Sequence, residues 1–337
     1  MIIEKYKISS TGKPGIAGIS GGETSALLAT VCDSTILLCF QNTGREAAKT
    51  YTFLERLSEH LQGKLVCLEY RPPRVKGDQP CESRFEVVPL HRLNKTGEPF
   101  ELLMEALNAY RSTRGKGKIA PWARSRLCTT YLKTRTARAY VKSLNWQTWN
   151  EYVGLRADEP NRVARLRSGV PSYIGRFAPL FDFGITKADV RSFWDKQAFK
   201  LDLDPLMGNC TGCFLKDQAD LSRALAVPET DANWWIQQET RYPGWGGRDF
   251  ATYSRLLAES SARQRIEQTL RSGSCPVGDV DIPNPKRFRL VLIQERKRIE
   301  RGAAPFSCGC EGSQTMAELD TEQEEEYLLS LPSEPLS

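Results

Sequence analysis

Between residues 13 and 70 the chain alternates short apolar runs with amphipathic segments, and this rhythm restricts the fold more than any other feature. "KPGIAGIS" reads as a short strand and "ETSALLATVC" has helical spacing at Thr24, Leu27, Leu28 and Val31. "STILLCFQN" is a continuous apolar run bounded by polar residues, as a buried strand requires. "REAAKTYTFLERLSEHL" is an amphipathic helix and "KLVCLEY" a third strand. Strands alternating with helices predict an α/β fold, a parallel sheet with helices on both faces.

The regularity breaks over residues 71–120. That stretch holds "RPPRVKGDQP", a helical piece "PFELLMEALNAY" and the basic "RSTRGKGK", and it reads as an insertion or substrate loop. "SRLCTTYLKTRTARAYVKSL" reads as a basic helix, and "WNEYVGLRADEPNR" as a strand running into a charged loop. "ITKADVRSFWDKQAF" is a helix with Thr186 as N-cap and Asp189 three residues on. From Asn209 the pattern is helical with glycine-rich interruptions. The expected organisation is a nucleotide-binding domain over 1–208, a helical cysteine-containing region over 209–310, and an acidic tail over 311–337 too polar to fold alone.

Charge narrows the partners. The net charge is +6, but the last 27 residues hold eight acids and no Lys or Arg, which leaves +14 on the first 310. Such a body attracts polyanions: nucleotides, nucleic acid or phosphate-rich substrates. No stretch is apolar enough to span a membrane, and "MIIEKYKISSTGKPG" lacks the plan of a secretory signal, so a cytoplasmic protein without a membrane partner is expected.

Within the first strand–helix junction lies "GISGGETSALLA". A strand, a Gly-rich turn and a helix start form an anion site, with backbone N–H groups pointing outward and the helix dipole favouring negative charge. Gly21 and Gly22 let the backbone approach a phosphate or sulfate, and Ser20, Thr24 and Ser25 add hydroxyls. The stretch is neither a Walker A loop nor G-x-G-x-x-G. "SGGETS" resembles the S-G-G-x-x-S signature of the PP-loop ATP pyrophosphatase superfamily, the adenine nucleotide alpha hydrolase-like fold. "FQNTGREAAKTYTFLERL" is similar to the F-x-N-T-G-x-E and T-Y-x-F segment of 3′-phosphoadenylyl sulfate (PAPS) reductase-like proteins. "VGLRADEPNRVARL" resembles that family's G-x-R-x-x-E-S-x-R, with Pro160 where Ser is common, and "APLFDFGITKADVRSFW" its P-L-x-D-W-x-x-x-D-V-W. The resemblance spans residues 15–216, with the motifs in order.

It implies that Ser20, Gly21, Gly22, Thr24 and Ser25 hold phosphate or sulfate, that Asn42, Thr43 and Gly44 line the adenosine side, with Glu46 starting the next helix, and that Arg156 and Arg162 bind the anionic end, oriented by Asp158 and Glu159. The nucleotide is PAPS or ATP, the latter with Mg²⁺.

Ten cysteines are many for a reducing compartment and suggest ligands or reactive thiols before disulfides. Cys32, Cys39 and Cys67 lie in or beside apolar runs and read as packing residues. "GNCTGCFLK" aims Cys210 and Cys213 at one centre, as in zinc or iron–sulfur sites or a redox dithiol. Cys128 is the best third ligand and Cys308 the favoured fourth, ahead of Cys275 and Cys310, for a [4Fe–4S] cluster or zinc. Reductases with such a cluster carry a tandem Cys-Cys where this chain has Leu127-Cys128. The family's C-terminal E-C-G-x-H motif is also missing, so "SCGC", with Cys308 and Cys310, is the candidate nucleophile.

Three activities stay open. The first is thiol-dependent sulfonucleotide reduction with a thioredoxin-like donor. The second is ATP-dependent sulfur transfer to nucleic acid, with "RSTRGKGK" and Trp122 tracking a phosphate backbone. The third is a non-catalytic nucleotide sensor or nucleic-acid-binding protein, which Glu23 in the signature loop leaves open.

Overall fold

A computed structural model describes residues 6–79, 84–119, 126–203, 207–242, 252–264, 266, 290–295 and 297. Cys81, Trp122, Arg124, Cys275, Cys308, Cys310 and the acidic tail lie outside the described residues.

The expected alternation is present: β1 (Gly15–Ile19), α1 (Glu23–Val31), β2 (Ile36–Asn42), α2 (Ala48–His60) and β3 (Leu65–Arg71). An edge strand β4 (Arg84–Val87) follows, then α3 (Glu98–Thr113), a π-helix (Cys128–Arg135), α4 (Thr136–Ser143) and β5 (Trp149–Tyr152). Next come α5 (Pro160–Arg167), β6 (Ile174–Phe177), α6 (Pro179–Asp182) and α7 (Lys187–Trp194). The described residues end in the helices α8 (Gln218–Ala226), α9 (Ala232–Arg241) and α10 (Tyr253–Ala258), with further helical residues beyond them. No helix among the described residues is long and apolar enough to cross a membrane.

The six strands form one sheet in the order β4-β3-β2-β1-β5-β6, parallel except for β4. Strand alternation assigns its two faces. Ala17, Ile19, Leu38 and Phe40 pack with residues of α1, α2 and α7, while Ile16, Cys39, Leu68 and Trp149 pack with α4. Trp194 closes the first layer. It meets Phe53 edge-on and its indole N–H donates to the Glu23 carbonyl at 2.9 Å, locking α7 under the start of α1. Thr186 and Asp189 form the reciprocal capping box of α7.

Several expectations need correction. The segment expected as one basic helix is helical from Cys128 in two parts. It is a π-helix leading into α4, and Thr129, Thr130, Tyr131, Leu132, Thr134 and Arg135 are buried. The 71–120 stretch is more than a loop, since it supplies β4 to the sheet. Its helix α3 sends Phe100, Leu103, Met104 and Leu107 into one apolar cluster with Tyr70, Trp234, Trp235 and Tyr253, which runs across residue 208. Glu46 does not open α2. The helix starts at Ala48 because the Ala47 N–H is taken by the Asn209 carbonyl at 2.7 Å and Glu46 pairs with Cys210 in a β-bridge.

Where α9 meets α10, Glu239 accepts the Tyr253 N–H at 3.0 Å, and burial pushes its carboxyl up to about 7. The folded chain therefore holds a proton that the unfolded chain, with this group near 4.5, has released. This contribution is present in full below the unfolded value and is lost as pH rises through the folded one. Thermal melts from pH 5 to 7.5 should show the wild type losing stability relative to Glu239→Gln, which keeps an acceptor and does not titrate. A constant gap between the two proteins would contradict this.

Candidate functional site

In an open parallel sheet, ligands bind beyond the carboxyl ends of the strands where the order reverses. Here β1 has β2 on one side and β5 on the other, so the crevice lies between the β1–α1 loop and the β5–α5 loop. Those two loops carry the residues expected to bind the anion.

The first glycine of this loop is required sterically, and the second lies close to Asn209. Gly21 has φ +80°, and a Cβ there would lie 2.5 Å from Thr50 Cγ2. A Cβ on Gly22 would lie 2.9 Å from Asn209 Nδ2. Ser25 ties the turn rather than facing out. It is buried, its hydroxyl donates to the Gly22 carbonyl at 3.0 Å and accepts the Ser20 N–H at 3.0 Å, and it lies 2.9 Å from Ser20 Oγ. Ser20 is half-buried. No side chain caps α1 at Gly22, so its first-turn N–H groups form the anion-ready end that helix geometry provides.

The second loop meets the first. Arg156, 7% exposed, donates from Nη1 to Thr24 Oγ1 at 3.1 Å and from Nε to Asp158 at 3.1 Å. Its backbone N–H donates to Glu159 at 3.0 Å, and Glu159 pairs with Arg162. Asp158 and Glu159 thus contact the two arginines they are expected to orient. A guanidinium at the positive end of α1 is electrostatically misplaced unless anions accompany it. Asp158 and Glu159 supply that negative charge.

Asn42, Thr43 and Gly44 sit at the carboxyl end of β2, but the first two turn their side chains inward. Asn42 donates to Glu69 and to the Asn94 carbonyl, both at 2.7 Å, and accepts the Tyr51 hydroxyl at 2.9 Å. Thr43 Oγ1 donates to Glu46 at 2.8 Å. Burial, followed by the Glu46 charge, holds the Tyr51 phenol protonated far above its usual range. These side chains brace the loop, so any adenosine contact from Asn42 or Thr43 falls to the backbone.

Two features had no signal in the sequence. Arg45, 5% exposed, donates to the Thr230 carbonyl at 2.8 Å, pairs with Asp231 at 3.3 Å, and lies 4.5 Å from the Trp234 ring. It ties the β2–α2 loop to α9. Asn209 bridges the same loop and the first one, accepting from Ala47 and donating to the Ser20 carbonyl at 3.4 Å. Nothing in the local sequence marks either residue as a connector.

Through Asn209 the C-x-x-C turn is fastened beside the crevice, and the Thr211 N–H adds a 3.0 Å bond to the Arg45 carbonyl. Cys210 and Cys213 are hydrogen-bonded free thiols, and that bond, then burial, raises the Cys210 thiol well above its ordinary value. Burial, then the neighbouring Cys213, pushes Cys128 up to about 11. The three expected ligands therefore approach one another. Among the described residues, however, no three His, Cys, Asp or Glu side chains are grouped to hold a metal ion. A closed zinc or cluster site needs four ligands, and the described residues do not complete one. Cys39 and Cys67 are buried packing residues as expected, and Cys32 is half-buried against the same core.

The fold and crevice define an α/β protein with a six-stranded, mostly parallel sheet, flanked by helices and compatible with a Rossmann-like arrangement. No protein-family model matches the chain. Over 219 residues it is 25% identical to the uncharacterized nin region protein ORF290 of Escherichia phage lambda, covering 62% of this chain and 68% of that protein.

Proposed function

We propose that this chain is a PP-loop enzyme of the PAPS reductase-like kind, binding an adenine nucleotide in the β1–β5 crevice and carrying out sulfur chemistry on it. The observation that carries the reading is Arg156, held by Asp158 and Glu159 and donating to Thr24 inside the first turn of α1. Gly21 and Gly22 keep the loop backbone open to an anion, and Ser20 and Arg162 stand at its rim. In the first reading the anion belongs to PAPS. A thiolate from Cys308 or Cys310 attacks the sulfuryl sulfur, the S–O bond breaks, and adenosine 3′,5′-bisphosphate leaves with the electron pair. One thiolate of a thioredoxin-like dithiol then attacks Sγ of the enzyme S-sulfocysteine and forms a mixed disulfide, which the donor's second thiol resolves. Sulfite leaves, the enzyme thiol is restored, and the donor becomes a disulfide.

A second reading is favoured by exposed cations on the loops after β3 and α3. In it the nucleotide is ATP: a base oxygen of the nucleic acid attacks the α-phosphate, pyrophosphate leaves, and sulfide from a sulfur donor then displaces AMP from the activated base, while Mg²⁺ would offset the phosphate charge when bound. A zinc or iron–sulfur centre on Cys128, Cys210 and Cys213 belongs to either reading as a proposal.

One anaerobic experiment separates them. Half of the purified protein receives PAPS and reduced thioredoxin, and sulfite is measured. The other half receives ATP, Mg²⁺ and bulk tRNA or DNA, and pyrophosphate is measured. Metal and acid-labile sulfide are assayed on the same sample. Sulfite establishes reduction, and pyrophosphate without sulfite establishes the transferase reading. Nucleotide binding without either product leaves a sensor, and no nucleotide binding overturns the proposal.

A further inference from the structure

Two loops at one end of the sheet carry cations that no described acid neutralises. β3 runs parallel to β1 and β2, so the chain leaving Arg71 emerges at the same end as the Ser20–Gly22 loop. That segment presents Arg74 and Lys76, both exposed, on either side of Val75, which is 62% exposed. The segment after α3 presents Arg114, Lys116 and Lys118, also exposed. The two segments touch, since a Cβ on Gly77 would lie 2.9 Å from Thr113 Cγ2. None of the five cations forms an ion pair with another described residue. Asp78 is the one exposed acid in the first segment.

The second segment is built from beneath. Arg111, 2% exposed, donates from Nε to the Gly117 carbonyl at 2.8 Å. The Lys116 N–H donates to the Arg111 carbonyl at 2.9 Å. Asn108 holds both backbone groups of Ile119, accepting its N–H at 2.7 Å and donating to its carbonyl at 3.0 Å. Arg114 lies 5.0 Å from the Tyr110 ring. A buried guanidinium and an amide thus fix a short loop whose charged side chains all face solvent. Fixed cations lose less freedom on binding than cations on a floppy tail, and five on one rim match a regular polyanion.

We infer that Arg74, Lys76, Arg114, Lys116 and Lys118 form a docking surface for the phosphodiester backbone of a nucleic acid, beside the nucleotide crevice. The exposed Val75 offers an apolar contact to a base or sugar. The surface stands on its own geometry. It bears on the proposed function by giving the transferase reading a place for its acceptor.

The test is fluorescence anisotropy of the full chain with labelled single-stranded DNA, duplex DNA and single-stranded RNA, between 50 and 200 mM salt. If all five cations contact phosphates, log K should fall against log salt with a slope of about −3.5 on single strands and about −4.5 on duplex DNA. Arg74→Ala with Lys76→Ala should flatten the single-strand slope by about 1.4, and removing all five should bring it near zero. Lys64→Ala, at the amino end of β3, should change the slope little. The arm with the tightest binding identifies the strand type. Absence of binding to every probe at 50 mM salt overturns the inference, as does a five-fold variant with wild-type affinity and slope. ATP and PAPS binding is measured separately on each variant. Loss of nucleotide binding in the wild type would count against the PP-loop reading alone, while nucleic-acid binding would still be read from the slope.

Discussion

Glu151→Ala should lose about 3–5 kcal/mol of folding stability, measured by urea unfolding followed by tryptophan fluorescence, because it removes a fully buried carboxylate shared by two half-buried arginines. Glu151 lies in β5 and is completely buried. Its Oε1 accepts the Trp149 indole N–H at 3.1 Å and meets Arg138 Nε at 3.5 Å, and its Oε2 accepts Arg176 Nε at 3.3 Å. Arg138 comes from α4 and Arg176 from β6, so one carboxylate joins a helix layer and two strands. Removing it takes the shared carboxylate from two largely enclosed guanidinium groups, 11% and 4% exposed, which costs more than the pair itself ever contributed. Glu151→Gln keeps an acceptor for Trp149 and should fall between wild type and Glu151→Ala. A loss below 1 kcal/mol for Glu151→Ala would mean that water enters between α4 and the sheet and solvates both arginines. β5 also leads into Val153 and Gly154, so loosening this strand should weaken nucleotide binding indirectly.

Arg156→Ala should weaken ATP or PAPS binding by about 10- to 100-fold, and it should also lower the melting temperature, because the buried guanidinium bonds Asp158 in its own loop and Thr24 in the other. The estimate is the free energy of one charge-assisted hydrogen bond, about 1.5–3 kcal/mol. The guanidinium is already oriented by Asp158 and Glu159, so little ordering is required when an anion arrives. Arg156→Lys keeps the charge but not the planar fork, and should recover only part of the affinity. Isothermal titration calorimetry on the three proteins reads this directly. Equal affinities would place the anion away from the α1 N-terminus and remove the main support for the proposed function.

The sequence by itself determined the layered α/β plan. Its strand and helix periods from Gly15 to Arg71 are local properties, and each element forms where its own residues place it. The Gly21–Gly22 turn, the Thr186–Asp189 capping box and the Arg156–Glu159 cluster were legible for the same reason, since each is built from residues within a few positions of one another. The loops that meet at the β1–β5 reversal were legible only as separate motifs. Strand order brought them together, with Arg156 reaching Thr24 across 132 positions.

Tertiary structure alone decided the rest. Asn42 and Thr43 carry polar side chains at a strand end and read as ligand-facing, but Glu69, Tyr51 and Asn94 turn the first inward and Glu46 the second. The charge of Glu151 disguised a core residue, and the basic run around Arg135 disguised a buried π-helix. Arg45 and Asn209, which fasten the cysteine turn and α9 to the strand-end loops, act through partners more than 150 positions away. Side-chain type reports the tendency to meet water. It does not report which distant partner will take water's place, and in a parallel sheet that partner is set by crossover connections rather than by neighbours in sequence.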